Sequence, residues 1–494
     1  MTASGRRTPD DRNSVADARI RRALEAWSSE LAPALPSPEL VRARGTGRIR
    51  RRRAATAAAA VAAVAALVTA LVPLSHPSPA RQQQSRAASG HAPLLGELAA
   101  HMRRLTTPRV LADARQAARS DLSLLTATTA SLYRSAGTTR NVVLVPSSLG
   151  EVLVQLELGA RGQTGSQIAT ALGMGGTSAS AQAQLWNALS QQLTIDQRVS
   201  HVQLEQANYL FLERTLHVHG TYLDALARYF GEGIWEADFA GRPAATTRTI
   251  NSWVRSVSHL RVPPLLPPGS ITRRTAFVLA NAFHFDASWS RALAFDPGRT
   301  HSAVFHLASG ATVSVPTMHW SGVLRTAALD GMRAVELPYA GGRFSALAIE
   351  PETGSLTTML DSWTPTSLSH LEAGLRQATV DLALPRLSLG SASSCNGALR
   401  AAGVRQAFST GADFGGITST PTALDMVGQS VAIRVDEHGT NAGGGTGSVS
   451  TLVSGGRDAV AVAFNHPFVF LIRDDATGAV IVEAVVADPA AVAS

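Results

Sequence analysis

Residues able to do chemistry cluster late in the chain, in "RVDEHGTNAGGGTGSVSTLVSGG" (434–456). Val431, Ile433 and Val435 alternate like a half-buried strand. About fifteen residues of Gly, Ser, Thr and Asn follow, and "AVAVAFNHPFVFLIR" then resumes a strand-like run. A polar connection of this length, with core on both sides, asks for a reason beyond linkage. Its serines are not nucleophiles on this reading, because nothing identifies a paired base. No His-Glu-x-x-His, Gly-x-Ser-x-Gly or P-loop motif is present. The chain therefore reads as a non-enzyme.

Composition removes further chemistries. Every one of the 44 basic residues is Arg, so a P-loop lysine, a Schiff-base lysine and a pyridoxal-phosphate anchor are all excluded. A single cysteine, Cys395, excludes an intrachain disulfide framework and a Cys-based metal cluster, and reads as a small, partly buried core residue. His217 and His219, two apart in "LHVHG", would share one face of a strand. Without nearby Cys or acidic ligands they read as an exposed strand face rather than a metal pair. His284, His306 and His319 fall in predicted strands as core or edge residues. No cofactor and no metal are expected.

The net charge of +8 is unevenly spread. Residues 1–53 hold 13 Arg against 6 acidic residues, and the remainder 31 against 30. The main domain is near neutral, which argues against nucleic-acid binding. Residues 1–53 read as a basic cytoplasmic tail with one short amphipathic helix around Ile20, Leu24 and Trp27. The run Arg48–Arg53 precedes 21 uncharged residues, Ala54–Leu74, long enough to span a bilayer core. The positive-inside rule then puts the rest of the chain outside, as a single-pass cell-membrane protein. Cleavage after Ser78–Ala80, giving a secreted protein, is the alternative, but a 53-residue polar lead is long for a signal peptide. Residues 75–93 read as a flexible linker.

From 94 to 490 no second linker and no repeat appear. Helical patterns come first, over Leu124–Tyr133, Ser147–Ala160 and Thr164–Gly173, with Ser147 and Ser148 as N-cap candidates and Gly159 and Gly173 as stops. Strand patterns dominate later, in "AFVLANAFHF", "MRAVELPY", "RFSALAIE", "TVDLALPRL", "SVAIRVDE" and "AVIVEAVVADP". Helices followed by strands, without regular alternation, predict an α+β domain.

Eight stretches in order then resemble one family. They are Asn141–Gly173, "VLANAFHFDASWSRALAF" (Val278–Phe295), Val315–His319, "ELPYAGG" (Glu336–Gly342), Val380–Leu387, "GADFGGI" (Gly411–Ile417), "VDEHGTNA" (Val435–Ala442) and Phe464–Pro489. The domain over 94–490 resembles a serpin, and the Arg- and Ala-rich composition suggests a bacterial-type member. The resemblance implies about nine helices, three β-sheets and an exposed reactive-centre loop, here preceded by one transmembrane helix. It implies a suicide substrate: a serine protease cleaves the loop, which then inserts into the large sheet and traps the acyl-enzyme.

On that resemblance Glu437 opens the loop hinge, Gly439 lets the chain turn and Thr440 inserts first. Ala442, Gly443, Gly444, Gly445 and Thr446 form the small-residue run, with Gly where the family favours Ala. The reactive bond falls at Val453–Ser454, with Arg457 as the alternative. An elastase- or subtilisin-like protease suits Val453, a trypsin-like one Arg457. Ser148, Asn281 and Gln429 match a polar network that holds the sheet shut, with Val145 where Ser is usual. The Gln429 amide is expected to bridge to Asn281. A monomer is expected. The alternative function is a non-inhibitory serpin-fold binding or sensor module tethered to the membrane.

Overall fold

A computed structural model describes residues 95–98, 110–231, 234–258, 264–440 and 459–491. The expected tail, membrane segment and linker (1–53, 54–74 and 75–93) lie outside these residues. So do Ala442, Gly443, Gly444, Gly445, Thr446, Val453, Ser454 and Arg457. Among the described residues no helix is long and apolar enough to cross a membrane.

The chain runs β1 (Leu95–Leu98), α1 (Val110–Ser135), β2 (Val142–Leu144), α2 (Pro146–Gly159), α3 (Gly162–Ala171), α4 (Ala179–Ser200), β3 (Gln203–Glu213), α5 (Gly220–Tyr229), β4 (Ile234–Ala237), α6 (Pro243–Ser258) and β5 (Phe277–Ser288). It continues through β6 (His301–His306), β7 (Thr312–Leu329), β8 (Met332–Pro338), β9 (Phe344–Pro351), α7 (Leu356–Ser362), α8 (Pro365–Ala373), β10 (Arg376–Pro385) and β11 (Leu387–Ser394). It ends with α9 (Asn396–Ala401), β12 (Met426–Asp436), β13 (Gly439–Thr440), β14 (Val460–Ala463), β15 (Phe468–Asp474) and β16 (Val480–Val486).

Among the described residues the strands form two hydrogen-bonded networks rather than the three sheets expected. One has the order β1-β4-β3-β5-β13-β12-β11. The other runs β14-β10-β7-β8-β9-β15-β16-β2, with β6 attached to β7. The difference lies in β7. Its 18 residues pair with β6 and β10 along most of their length and with β8 at the far end, so one continuous strand joins two sheets.

Burial explains which patterns were readable. In β5, "FVLANAFHFDAS", nine consecutive residues are buried, as in a strand covered on both faces. Helix α2 is buried along nearly its whole length beneath that sheet. A Cβ at Gly150 of α2 would stand 2.1 Å from the Trp186 ring, so α4 approaches α2 only because this residue has no side chain. The N-cap of α2 is Val145, without a side-chain cap, rather than Ser147 or Ser148. Pro146 takes the first turn, where its missing N–H costs nothing, and this moves both serines inside the helix. The stop signals lie close to the observed ends, at Gly159 and at Gly173, whose φ is +65°.

Candidate functional site

The site is a seam that is closed at one end and open at the other. Parallel strands β5 and β12 pair directly from Val278–Met426 to Ala282–Ser430. Further along they separate, and β13 lies between them, antiparallel to both. Thr440 pairs with Ala287 on one side and Val435 on the other, while Gly439 pairs with Ser288 and Asp436. The chain leaves β12 at Asp436, turns over Glu437 and His438, and re-enters the sheet within two residues.

Gly439 makes that return possible. Its φ is +152°, and a Cβ there would lie 2.0 Å from the Ala287 carbonyl oxygen. Thr440 is fully buried, and its hydroxyl meets that of Tyr339 at 2.5 Å. Tyr339 stacks on Trp289, with ring centroids 4.7 Å apart and planes at 6°. Trp289 in turn donates its indole N–H to the Asp436 carbonyl (2.8 Å) and its backbone N–H to that of His438 (2.9 Å). Both sides of the turn are thus held by two stacked rings.

Glu437 is buried as well. Arg386 donates to it from Nε at 2.9 and 3.0 Å and from Nη2 at 2.7 Å, and the Thr300 hydroxyl donates to the same carboxylate. Burial alone would raise the carboxyl pKa; the Arg386 and Thr300 hydrogen bonds outweigh it and hold the group below the ordinary carboxylate value.

At the closed end, Asn281 on β5 donates to Ser148 Oγ and to Asn208 Oδ1 (2.7 Å), and Ser148 donates to Asn208. Gln429 does not bridge to Asn281 as expected. Its amide accepts the Val145 N–H (3.1 Å) and donates to the Val145 carbonyl (3.0 Å). Val145 supplies no side-chain polar group; as the N-cap of α2 its carbonyl already accepts the Leu149 N–H (3.1 Å), so the glutamine pairs its N–H and adds a second donor to its carbonyl. The Asn281 Oδ1 is left without a partner. A small cavity of about 10 Å³ lies here, lined by Ser148, Asn281, Gln429, Leu149, Leu279 and Val427 among others.

The structure therefore brings Glu437, Gly439 and Thr440 together at the open end, and Ser148, Asn281 and Gln429 at the closed end. Sequence reasoning missed Arg386, Thr300, Tyr339 and Asn208. Arg386 and Tyr339 stand inside motifs that were recognised, but their partners lie 51 and 101 residues away. An Asn amid "EQANYLFL" was the one available signal for Asn208.

The remaining candidates part from this site. His217 lies outside any strand, contrary to expectation. His219 is the N-cap of α5, and its Nε2 meets Ser419 Oγ at 2.8 Å; starting a helix there ends any shared strand face. Among the described residues no three His, Cys, Asp or Glu gather as a metal cluster. Cys395 is fully buried, more than expected, and burial pushes its thiol pKa up to about 12.

Comparison with known proteins agrees with this geometry. A family model described as Serpin (serine protease inhibitor) matches residues 123–489. Serpin-Z7 of Hordeum vulgare is 31% identical over 363 residues, covering 71% of this chain and 90% of its own length. The thermophilic serpin tengpin in its native state superposes with a TM-score of 0.67 at 22% identity, covering 78% of this chain and 97% of its own. Mouse protein-Z dependent protease inhibitor gives 0.65 at 20%, covering 77% and 99%. The organisms named, Hordeum vulgare and mouse, give no support to the expected bacterial type. Serpins are in general protease inhibitors rather than enzymes. With a family model that matches residues 123–489, most of its length, the chain belongs to the serpin family.

Proposed function

We propose that this chain inhibits serine proteases as a suicide substrate, by inserting its cleaved loop between β5 and β12. The observation that carries this reading is the position of Thr440, which already occupies a strand position between them with a partner on each side. A protease serine attacks the carbonyl carbon of the bait residue, the amine of the next residue leaves, and an acyl-enzyme forms. The freed segment after Thr440 then extends β13 along the seam. Successive added residues hydrogen-bond alternately to the strands on either side, and the five direct β5–β12 pairs must separate to admit them. Residues that enter must be small or uncharged, since an unpaired charge buried there costs several kcal/mol.

Val453–Ser454 is the preferred bait, directed at an elastase- or subtilisin-like protease, and Arg457 the alternative for a trypsin-like one. The run Arg48–Arg53 before Ala54–Leu74 supports a membrane anchor with the inhibitor domain outside the cell. The test is to mix the protein with elastase-, subtilisin- and trypsin-like proteases and run a denaturing gel. An SDS-stable adduct supports trapping, and cleavage without adduct for all three would sink it. Three consecutive glycines, Gly443–Gly445, favour the second reading of a non-inhibitory binding or sensor module, because each weakens an inserted strand by about 0.5–1 kcal/mol relative to Ala. In that case the chain is cut, or left intact, without an adduct.

A further inference from the structure

Strand β6 is six residues long, and each end touches one of the two segments that flank residues 441–458. Thr300, the residue before it, donates to Glu437 on the outgoing side. His306, its last residue, donates its backbone N–H to the Asn465 carbonyl on the returning side, at 2.8 Å. A stacked histidine pair sits at each of these ends. His301 stacks on His319 of β7, with centroids 4.2 Å apart and planes at 6°. His306 stacks on His466, at 4.8 Å and 15°.

We propose that β6 is an acid-released strap: it ties the outgoing segment at Glu437 to the returning segment at Asn465–His466, and protonation of its two histidine stacks loosens both ties together. Two neutral imidazoles stack favourably, whereas two imidazolium rings at these distances repel. His319 adds a second cost. Its Nε2 is buried without a hydrogen-bond partner, so a proton placed there creates a cationic N–H with no acceptor.

The surrounding charges reinforce the effect. The turn leading into β6 brings Arg299, whose charge bears on His319, and Asp296, whose Oδ1 is taken by the Gly298 N–H. Beyond Thr300, the Glu437 carboxylate is committed to Arg386. The turn at 307–311 carries no titratable residue, and on the returning side the Asn465 Oδ1 accepts from His466 Nδ1 at 2.8 Å. His301 Nδ1 donates to the Arg299 carbonyl at 3.1 Å, and on β10 Asp381 lies opposite Ser321, two residues along from His319; among the described residues no carboxylate hydrogen-bonds or ion-pairs with any of the four rings. Burial first, then His301 and Arg299, lower the His319 pKa; burial, then His306, lower that of His466. A base whose folded pKa is depressed contributes stability above its unfolded value, near 6.5, that is lost as pH falls through the folded value. The strap should therefore hold at neutral pH and loosen in mildly acidic solution. This holds for the strand whether or not the loop traps a protease.

Hydrogen–deuterium exchange on the full chain tests it, with wild type and the double variant H301T/H306T compared side by side at about pH 8 and about pH 5.5. Running both proteins at each pH cancels the intrinsic pH dependence of exchange. The expected result is equal protection at the higher pH. At the lower pH wild type should exchange several-fold faster than the variant over 301–306, 437–440 and 464–466. H319Q/H466Q, which removes the opposite ring of each stack, should behave alike and carries the test if the first variant is unfolded. The same pH dependence in wild type and variants, or loosening of only one flanking segment, overturns the proposal.

Discussion

The Glu437 carboxylate accepts from both Nε and Nη2 of Arg386 at 2.7–3.0 Å while its own side chain is 4% exposed and that of Arg386 44%. The pair is asymmetric: the arginine reaches water, whereas the carboxylate depends on its partners. Arg386→Ala should lower stability by about 1.5–3 kcal/mol, the range for hydrogen bonds to a charged group. Because the folded pKa of Glu437 is depressed, its contribution exists above the unfolded carboxylate pKa and is lost as pH falls through the folded value. Urea denaturation of wild type and R386A from neutral to acidic pH checks both points. The gap between the two proteins should narrow towards low pH.

Tyr339 and Thr440 should behave as a coupled pair. Tyr339→Phe leaves the buried Thr440 hydroxyl without its partner, at a cost of about 1–3 kcal/mol. Thr440→Val does the same to the Tyr339 hydroxyl. The double variant leaves neither group stranded, so its loss should be smaller than the sum of the singles. A double-mutant cycle from urea denaturation measures this, and simple additivity would show that the hydroxyl contact contributes nothing.

Replacing Gly443, Gly444 and Gly445 with Ala should strengthen an inserted strand by roughly 1.5–3 kcal/mol in total, at about 0.5–1 kcal/mol per residue. Under the inhibitory reading, the triple variant forms more SDS-stable adduct and less simple cleavage product with the same protease. Gel densitometry gives the ratio, and an unchanged ratio would mean that insertion is not limited by these residues.

Alkaline pH should weaken the fold. Burial raises the pKa of Glu157, Glu350 and Asp474 to about 7 and that of fully buried Glu483 to about 8. Groups with raised folded pKa values contribute stability that is fully present below their unfolded values and is lost as pH rises through the folded ones. Global stability should therefore decline through pH 7–8. Glu483→Gln keeps a partner for Thr129, whose hydroxyl donates to Glu483 at 2.5 Å, and should flatten the decline near pH 8. Thermal unfolding from pH 6 to 9 reads it directly.

Sequence alone determined what depends on near neighbours in the chain. The α+β class, the buried run of β5, helix α2 and the turn residues Glu437, Gly439 and Thr440 were all legible there. Apolar period, proline and glycine placement and a family motif act over a few residues each. Tertiary structure alone decided what required distant residues to meet. Arg386 and Thr300 close on Glu437 from 51 and 137 positions away, Tyr339 reaches Thr440 across 101, and Asn208 meets Asn281 across 73. It also chose the backbone of Val145, rather than Asn281, as the partner of Gln429, because a helix start beneath the sheet left the Val145 N–H to satisfy. Hydrogen-bond geometry of that kind is set by where strands and helices come to rest, and a linear pattern of residue types does not carry it.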